Sequence, residues 1–325
     1  MSDLLNVPQD IPRIVNRSLL LPTMASFRIE NITTPILLGS LFDFLLCGTL
    51  LVQTYAYYIS FPKDPLIFKC LVCFVMLTMI VYACLNASDL VFWFATSFGN
   101  PLHFIQRRFS KFYIPILTVL LASCVQSFFA FRITVIRKAA WPISLLIVVI
   151  SLTQLVAGIM SGTLAFIEDN QPDSSLPGTT APKIHQHIRV ILIPMWIVGG
   201  ATADILIAIT MTVLLSKATA SESTQSVANK IIRLVLETNS CTAAVAIICV
   251  VLYFVLPPTN LYVYLPVIAL IGLYANTLLV TLNNRAIILR AREQQPMKSG
   301  QRTTAISAPA PPRQAVIPEE FEYAV

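Results

Sequence analysis

Seven apolar stretches, at residues 36–58, 66–94, 112–133, 141–167, 190–215, 234–256 and 261–283, constrain this chain more than any other feature. A helix needs about 20 mostly apolar residues to cross a bilayer, and each stretch supplies them. The second and fourth are long enough to require tilt, or ends that project from the hydrocarbon. Pro115, Pro142, Pro194 and Pro266 fall in or near the expected first turns, where a missing N–H costs least. Transmembrane strands would alternate apolar and polar residues, and no stretch does. The fold class expected is an all-α membrane protein, a bundle of seven transmembrane helices.

Composition agrees. Charged residues make up 12% of the 325 and apolar types 56%, with a mean hydropathy of +0.75. An ordinary soluble domain carries about 25% charged residues, and this chain cannot cover a large core with polar surface. Cys47, Cys70, Cys73, Cys84, Cys124, Cys241 and Cys249 all lie in apolar runs, unlike the loop cysteines of a secreted disulfide scaffold. Cys70 and Cys73 form a Cys-x-x-Cys without the two further ligands of a zinc site, and His185 and His187 share one polar gap. No metal and no cofactor is expected. The net charge of +6 resides in the gaps and the tail rather than in a basic stripe with aromatics, so no nucleic-acid partner is expected.

Three regions follow: an external N-terminal segment at 1–35, the seven-helix domain at 36–284, and a disordered cytosolic tail at 285–325, rich in Pro and Ala. No signal-peptide core precedes the first stretch. Lys and Arg set the orientation. Arg17, Arg28, Arg107, Arg108, Lys111, Lys183 and Arg189, seven in all, fall on the N-terminal side. The other side holds twelve: Lys63, Lys69, Arg132, Arg137, Lys138, Lys217, Lys230, Arg233, Arg285, Arg290, Arg292 and Lys298. The excess predicts a cytosolic C-terminus and an external N-terminus, against the dissent of Arg107, Arg108 and Lys111. Asn16 and Asn31 open glycosylation sequons on the external side.

Several blocks recur in order: Gln53-Thr54-Tyr55-Ala56-Tyr57-Tyr58, then Asp64 and Lys69-Cys70-Leu71-Val72, Phe98-Gly99-Asn100-Pro101, and Val125-Gln126-Ser127-Phe128 running on to Arg132-Ile133. Asp204, Glu237-Thr238-Asn239-Ser240 and Leu273-Tyr274-Ala275-Asn276 through Asn283-Asn284-Arg285 complete the set. With them, residues 38–285 resemble a fungal, chiefly basidiomycete, family of seven-helix membrane proteins defined only by a domain of unknown function. The resemblance implies fold and membrane, and no activity. The family often carries an Asp and a His in the first half of helix two. Thr78 and Tyr82 stand in that region here, so no proton-linked role of that pair carries over.

Ionisable residues inside a span are costly and mark functional candidates. Asp204 lies fourteen residues past Val190, ~21 Å from the external end. With Asp43, Asp89, Gln126 and Asn276 it forms the candidate ligand or proton site; the alternative is a neutral Asp hydrogen-bonded to a neighbouring helix. Arg132, Glu237, Asn239, Asn283 and Arg285 form a candidate polar cluster on the cytosolic side, with Glu237 expected to meet Arg132 or Arg285. It is read either as a latch or as a set of snorkelling interface anchors. Gly158, Gly162, Gly199 and Gly200 predict close helix packing within the bundle.

Known seven-helix chemistries find no support. Helix seven has no lysine for a Schiff base, the three histidines cannot build a zinc hydrolase, and no catalytic residue is assigned. The chain is read as a non-enzymatic multi-pass protein of plasma membrane or endomembrane. A receptor-like sensor stands first, a carrier of a small solute, proton or lipid second, and a structural or lipid-organising protein third. Expected partners are membrane lipids, with a small ligand or solute and a cytosolic partner at the C-terminal side.

Overall fold

The computed structural model describes residues 30–96, 109–170, 181–221, 226–257 and 260–293. Seven long helices run through them: α1 (Glu30–Ser60), α2 (Leu66–Val91), α3 (Ser110–Ile136), α4 (Trp141–Asn170), α5 (Ala181–Ser221), α6 (Ser226–Val255) and α7 (Tyr264–Glu293). All seven contain a window long and apolar enough to cross a membrane. A π-helical turn, Phe92–Thr96, prolongs α2. There is no strand among the described residues.

The helix ends have local causes. Pro65, in an extended conformation, starts α2 after a tight turn in which Asp64 N–H donates to Phe61 O. Arg137 turns extended and stops α3, and a 3₁₀ turn at Lys138–Ala140 leads into Pro142 at the second position of α4, where no helical N–H is needed. Helices also outrun their apolar stretches. α5 begins at Ala181, so Pro194 sits well inside the helix rather than in its first turn. α7 continues to Glu293, past the expected tail boundary at 285, and α1 begins at Glu30, before 36. Asn31, expected as an external glycosylation site, lies in the first turn of α1 with its carbonyl accepting Leu261 N–H. Asn16 lies outside the described residues.

Neighbouring helices pack in sequence order, and α7 closes the ring against α1. The α3 and α7 helices each touch four others and are the central pair. Their apolar windows are 67% and 78% buried, against 28–39% for the rest, whose outer faces carry the lipid-facing Leu, Ile and Val. Glycines set the closest approaches, since lipid supplies no hydrophobic drive for association. A Cβ on Gly158 would meet Val119 at 2.5 Å, and one on Gly162 would meet Phe112 O at 2.7 Å, so this Gly-x-x-x-Gly presses α4 onto α3. Gly272 does the same for α7 against Leu46 of α1. The face at which α1 and α7 begin is called the N-terminal face below, and the opposite one the C-terminal face.

Candidate functional site

Asp204 of α5 is a buried polar group that bonds to two other helices. Its Oδ1 accepts from Gln126 Nε2 of α3 at 2.9 Å, and its Oδ2 accepts from Tyr274 OH of α7 at 2.5 Å. Gln154 of α4 extends the network by donating to Gln126 Oε1. Room for Gln154 comes from Gly200, where a Cβ would lie 2.9 Å from its Oε1. Three helices therefore meet at the carboxyl group of Asp204, a residue only 5% exposed, and α4 reaches it through Gln126. Each of its oxygens holds one donor and retains further acceptor capacity. Gln126, a candidate by sequence, joins it. Tyr274 and Gln154 complete the node without having been singled out for it.

Three cavities line up along this node. A vestibule of about 440 Å³ lies at the N-terminal face between α3, α4, α5, α6 and α7. Its lower wall, Trp196 and Ile197, also lines a cavity of about 20 Å³ that reaches Gln154, Thr118 and Tyr274. Tyr274 in turn borders a third space of about 10 Å³ beside Asp204, Gln126, Asn239 and Thr242. Spaces of 10–20 Å³ hold about one water each, provided polar partners are present. Thr118 Oγ1, Trp196 Nε1 and Asn239 Nδ2 are such partners, buried without a hydrogen bond.

Asp43 and Asp89 lie elsewhere, toward the N-terminal face between α1, α2 and α3. Asn86 Nδ2 donates to Asp43 Oδ2 at 3.1 Å, and Ser40 Oγ lies 2.9 Å from Asn86 Oδ1. Tyr82 packs edge-on against Tyr113 at 5.5 Å, and Tyr113 hydrogen-bonds to Asp89. Asp43 is fully buried, and its Oδ1 has no hydrogen-bond partner, like the Tyr82 hydroxyl. The structure therefore divides the expected carboxylate site in two. Asn276 belongs to neither: its amide donates to Leu46 O and Gly272 O, and its Oδ1 accepts from Thr49 and Gln53. With its hydrogen bonds filled, it joins α1 to α7.

The C-terminal face is closed differently. Arg285 Nη2 donates to Asp64 Oδ2 at 2.6 Å, and Tyr57 OH donates to the same oxygen at 2.7 Å. Arg285 Nε caps Leu282 O at 3.1 Å, while the guanidinium lies 4.6 Å from the Phe61 ring and 5.1 Å from Phe68. The α1–α2 turn is thus clamped beneath α7. Arg285, one of the two partners expected for Glu237, thus pairs with Asp64. Glu237 is exposed on α6, at the start of its apolar window. Asn239 turns inward to the Asp204 cavity. Asn283 Nδ2 donates to Gln53 O at 2.9 Å on α1. Arg132 is 2% exposed and within electrostatic range of Arg285. The expected five-residue cluster thus spreads over the α1–α7 seam, the core and the outer surface.

The segment carrying Asp204, Asn239, Tyr274, Asn276 and Arg285 is also the one that known sequences recognise. Residues 200–287 match a family of unknown function, DUF6534. Comparison with curated proteins and with solved structures gives no match. The matched segment begins at Gly200, which admits Gln154, and ends just past the clamp arginine, so it contains the α5–α7 share of both polar centres.

Two signals could have found the missed residues. Asp64 precedes Pro65 in a five-residue turn and is the only acid there, so a buried cation at that face had few other partners. The density of Asn and Thr in α7, Asn276, Thr277, Thr281, Asn283 and Asn284, marks an interior helix, since these side chains are costly against lipid.

Proposed function

We propose that this multi-pass membrane protein is a receptor-like sensor whose ligand site is the vestibule. The observation carrying the reading is the asymmetry of the two ends. A cavity of about 440 Å³ lies at the N-terminal face, within the usual size of small-molecule sites, whereas the Arg285–Asp64–Tyr57 clamp closes the α1–α2–α7 corner of the other. The Asp204 node, lying between them and joined to α3, α4 and α7, is the element through which occupancy above would be felt below. We further propose an external N-terminus and a cytosolic C-terminus from the cation count, a place in the plasma membrane or endomembranes, a cytosolic partner at the C-terminal face, and kinship with the fungal seven-helix family through the blocks outside 200–287. No catalytic role is proposed.

The carrier reading draws on one observation, the unpartnered Asp43 Oδ1 in the span. Cysteine accessibility separates the two. Asn260→Cys lies at the vestibule and Thr277→Cys beside Asp204. In a sensor, a membrane-impermeant thiol reagent modifies Asn260→Cys from the N-terminal side, and Thr277→Cys stays protected from both sides, with the unsubstituted chain as control. Modification of Thr277→Cys from the C-terminal side would retire the sensor and install the carrier.

A further inference from the structure

Asp43 of α1 takes its hydrogen bond from a neutral amide, Asn86 Nδ2 of α2, and its Oδ1 has no hydrogen-bond partner. The residue is fully buried within an apolar span. A carboxylate held this way is costly, because an amide donates a hydrogen bond but cancels no charge. The side chains about it add more oxygens. Ser40 stands one turn before Asp43 on the same face of α1, and Tyr82, Asn86 and Asp89 follow one another at helical spacing on α2. All five are buried. The Tyr82 hydroxyl makes no hydrogen bond either, and it lies within electrostatic range of both aspartates.

Ser40 shows how this ring serves a cation. Its hydroxyl has one proton, yet two acceptors lie in reach, Ile36 O at 2.8 Å and Asn86 Oδ1 at 2.9 Å. With the proton on Ile36 O, Ser40 Oγ and Asn86 Oδ1 turn lone pairs toward each other, an arrangement that a positive ion beside them stabilises. Asp43 Oδ1 and the Tyr82 hydroxyl bring the set to four oxygens, one of them from a carboxylate, which suits a hard monovalent cation. Among the described residues no three His, Cys, Asp or Glu side chains group together, so a transition metal finds no cage here. A route also leads in. A space of about 10 Å³, room for about one water, is bordered by Asn86 and Tyr113 and shares Ser110, Ile114, Leu261 and Tyr264 with the vestibule. Confinement on that scale favours a cation smaller than potassium.

We propose that Asp43, Ser40, Asn86 and Tyr82 bind a sodium ion between α1 and α2, reached from the N-terminal face by way of the vestibule. Asp43 supplies the charge, the three neutral oxygens take the place of water about the ion, and the Asn86 amide fixes the Asp43 carboxylate from its other side. The bound ion ties α1 to α2. The site is separate from the vestibule ligand and holds whether the chain is a sensor or a carrier.

Thermal midpoints of the purified full chain in sodium, potassium, calcium and choline chloride, at equal ionic strength, test the site. A ligand held only by the folded state raises the midpoint with the logarithm of its concentration. Above half-saturation, sodium should add about 2–3 °C for each tenfold increase, and potassium should be at least about fivefold less potent. Asp43→Asn should abolish the sodium response while its midpoint in choline stays at or above that of the unsubstituted chain, which separates lost binding from lost folding. Tyr82→Phe, which removes one oxygen and keeps the ring against Tyr113, should raise the half-saturating sodium concentration about fivefold. Equal midpoints in sodium, potassium and choline would leave Asp43 protonated or merely hydrated and overturn the proposal. A sodium response that survives Asp43→Asn would place the ion elsewhere, and calcium acting at lower concentration than sodium would make the site divalent; either result overturns it as well.

Discussion

Asp204 and Asp43 are the same residue, both almost fully buried within a span, yet their surroundings have opposite logic. Asp204 has a donor on each oxygen and ties α5 to α3 and α7, with α4 reached through Gln126. Asp43 has one donor, Asn86, and an oxygen left without a hydrogen bond. A buried polar group that is fully satisfied specifies one arrangement of its helices. A partly satisfied one stays costly and is retained for something other than stability. Depth and residue type alone would have assigned both aspartates the same role; their partners assign different ones.

Substitution is the way to break this comparison. The largest expected effect is Asp204→Ala, which strands Gln126 Nε2 and Tyr274 OH in the core and should cost about 2–3 kcal/mol, read as a fall in thermal midpoint of the purified full chain. Asp43→Asn should be neutral or stabilising by up to about 1 kcal/mol, because it replaces a group with an unmet oxygen by an amide. If both substitutions cost the same, the distinction between node and under-satisfied site fails. Next comes the clamp. A double-mutant cycle of Arg285→Gln with Asp64→Asn should give a coupling of about 1–2 kcal/mol, whereas Arg285→Gln with Glu237→Gln should give under about 0.5 kcal/mol. The reverse order would restore Glu237 as the partner. Tyr274→Phe removes one donor from Asp204 and should cost about 1 kcal/mol. The smallest effects concern glycines. Gly158→Ala has no room beside Val119 and should loosen the α3–α4 contact, whereas Gly48→Ala, with nothing within 4 Å, should gain a few tenths of a kcal/mol from helix propensity. Midpoints shifting equally for the two would remove close packing as the reason for Gly158.

The number, order and approximate limits of the helices were legible because lipid requires long apolar runs. Their ends were less so. Hydropathy reports only what the hydrocarbon demands, so it starts α5 at 190 and misses the polar turns from Ala181 that continue the same helix. Azimuth was the real gap. In a soluble protein an apolar stripe marks the inner face, but here Leu, Ile and Val serve both the core and the lipid, so no stripe distinguishes them. This is why the Asp204–Gln126 contact and the Gly158–Gly162 seam were approachable, each resting on a conspicuous residue type, while the choice between Glu237 and Asp64 for Arg285 was not.

The α1–α7 seam carries a consequence in time. Thr49 and Gln53 of the first span reach the Oδ1 of Asn276, in the last. During synthesis α1 therefore enters the bilayer more than 200 residues before that acceptor exists, with α2 as an early neighbour. Until α7 arrives, Thr49 has Leu46 O of its own helix to bond to, Gln53 lacks its partner on Asn276, and the ring of helices stays open. Completion of this protein is thus an event of its final span, and a ribosome that stops short of α7 leaves behind a substrate for membrane quality control.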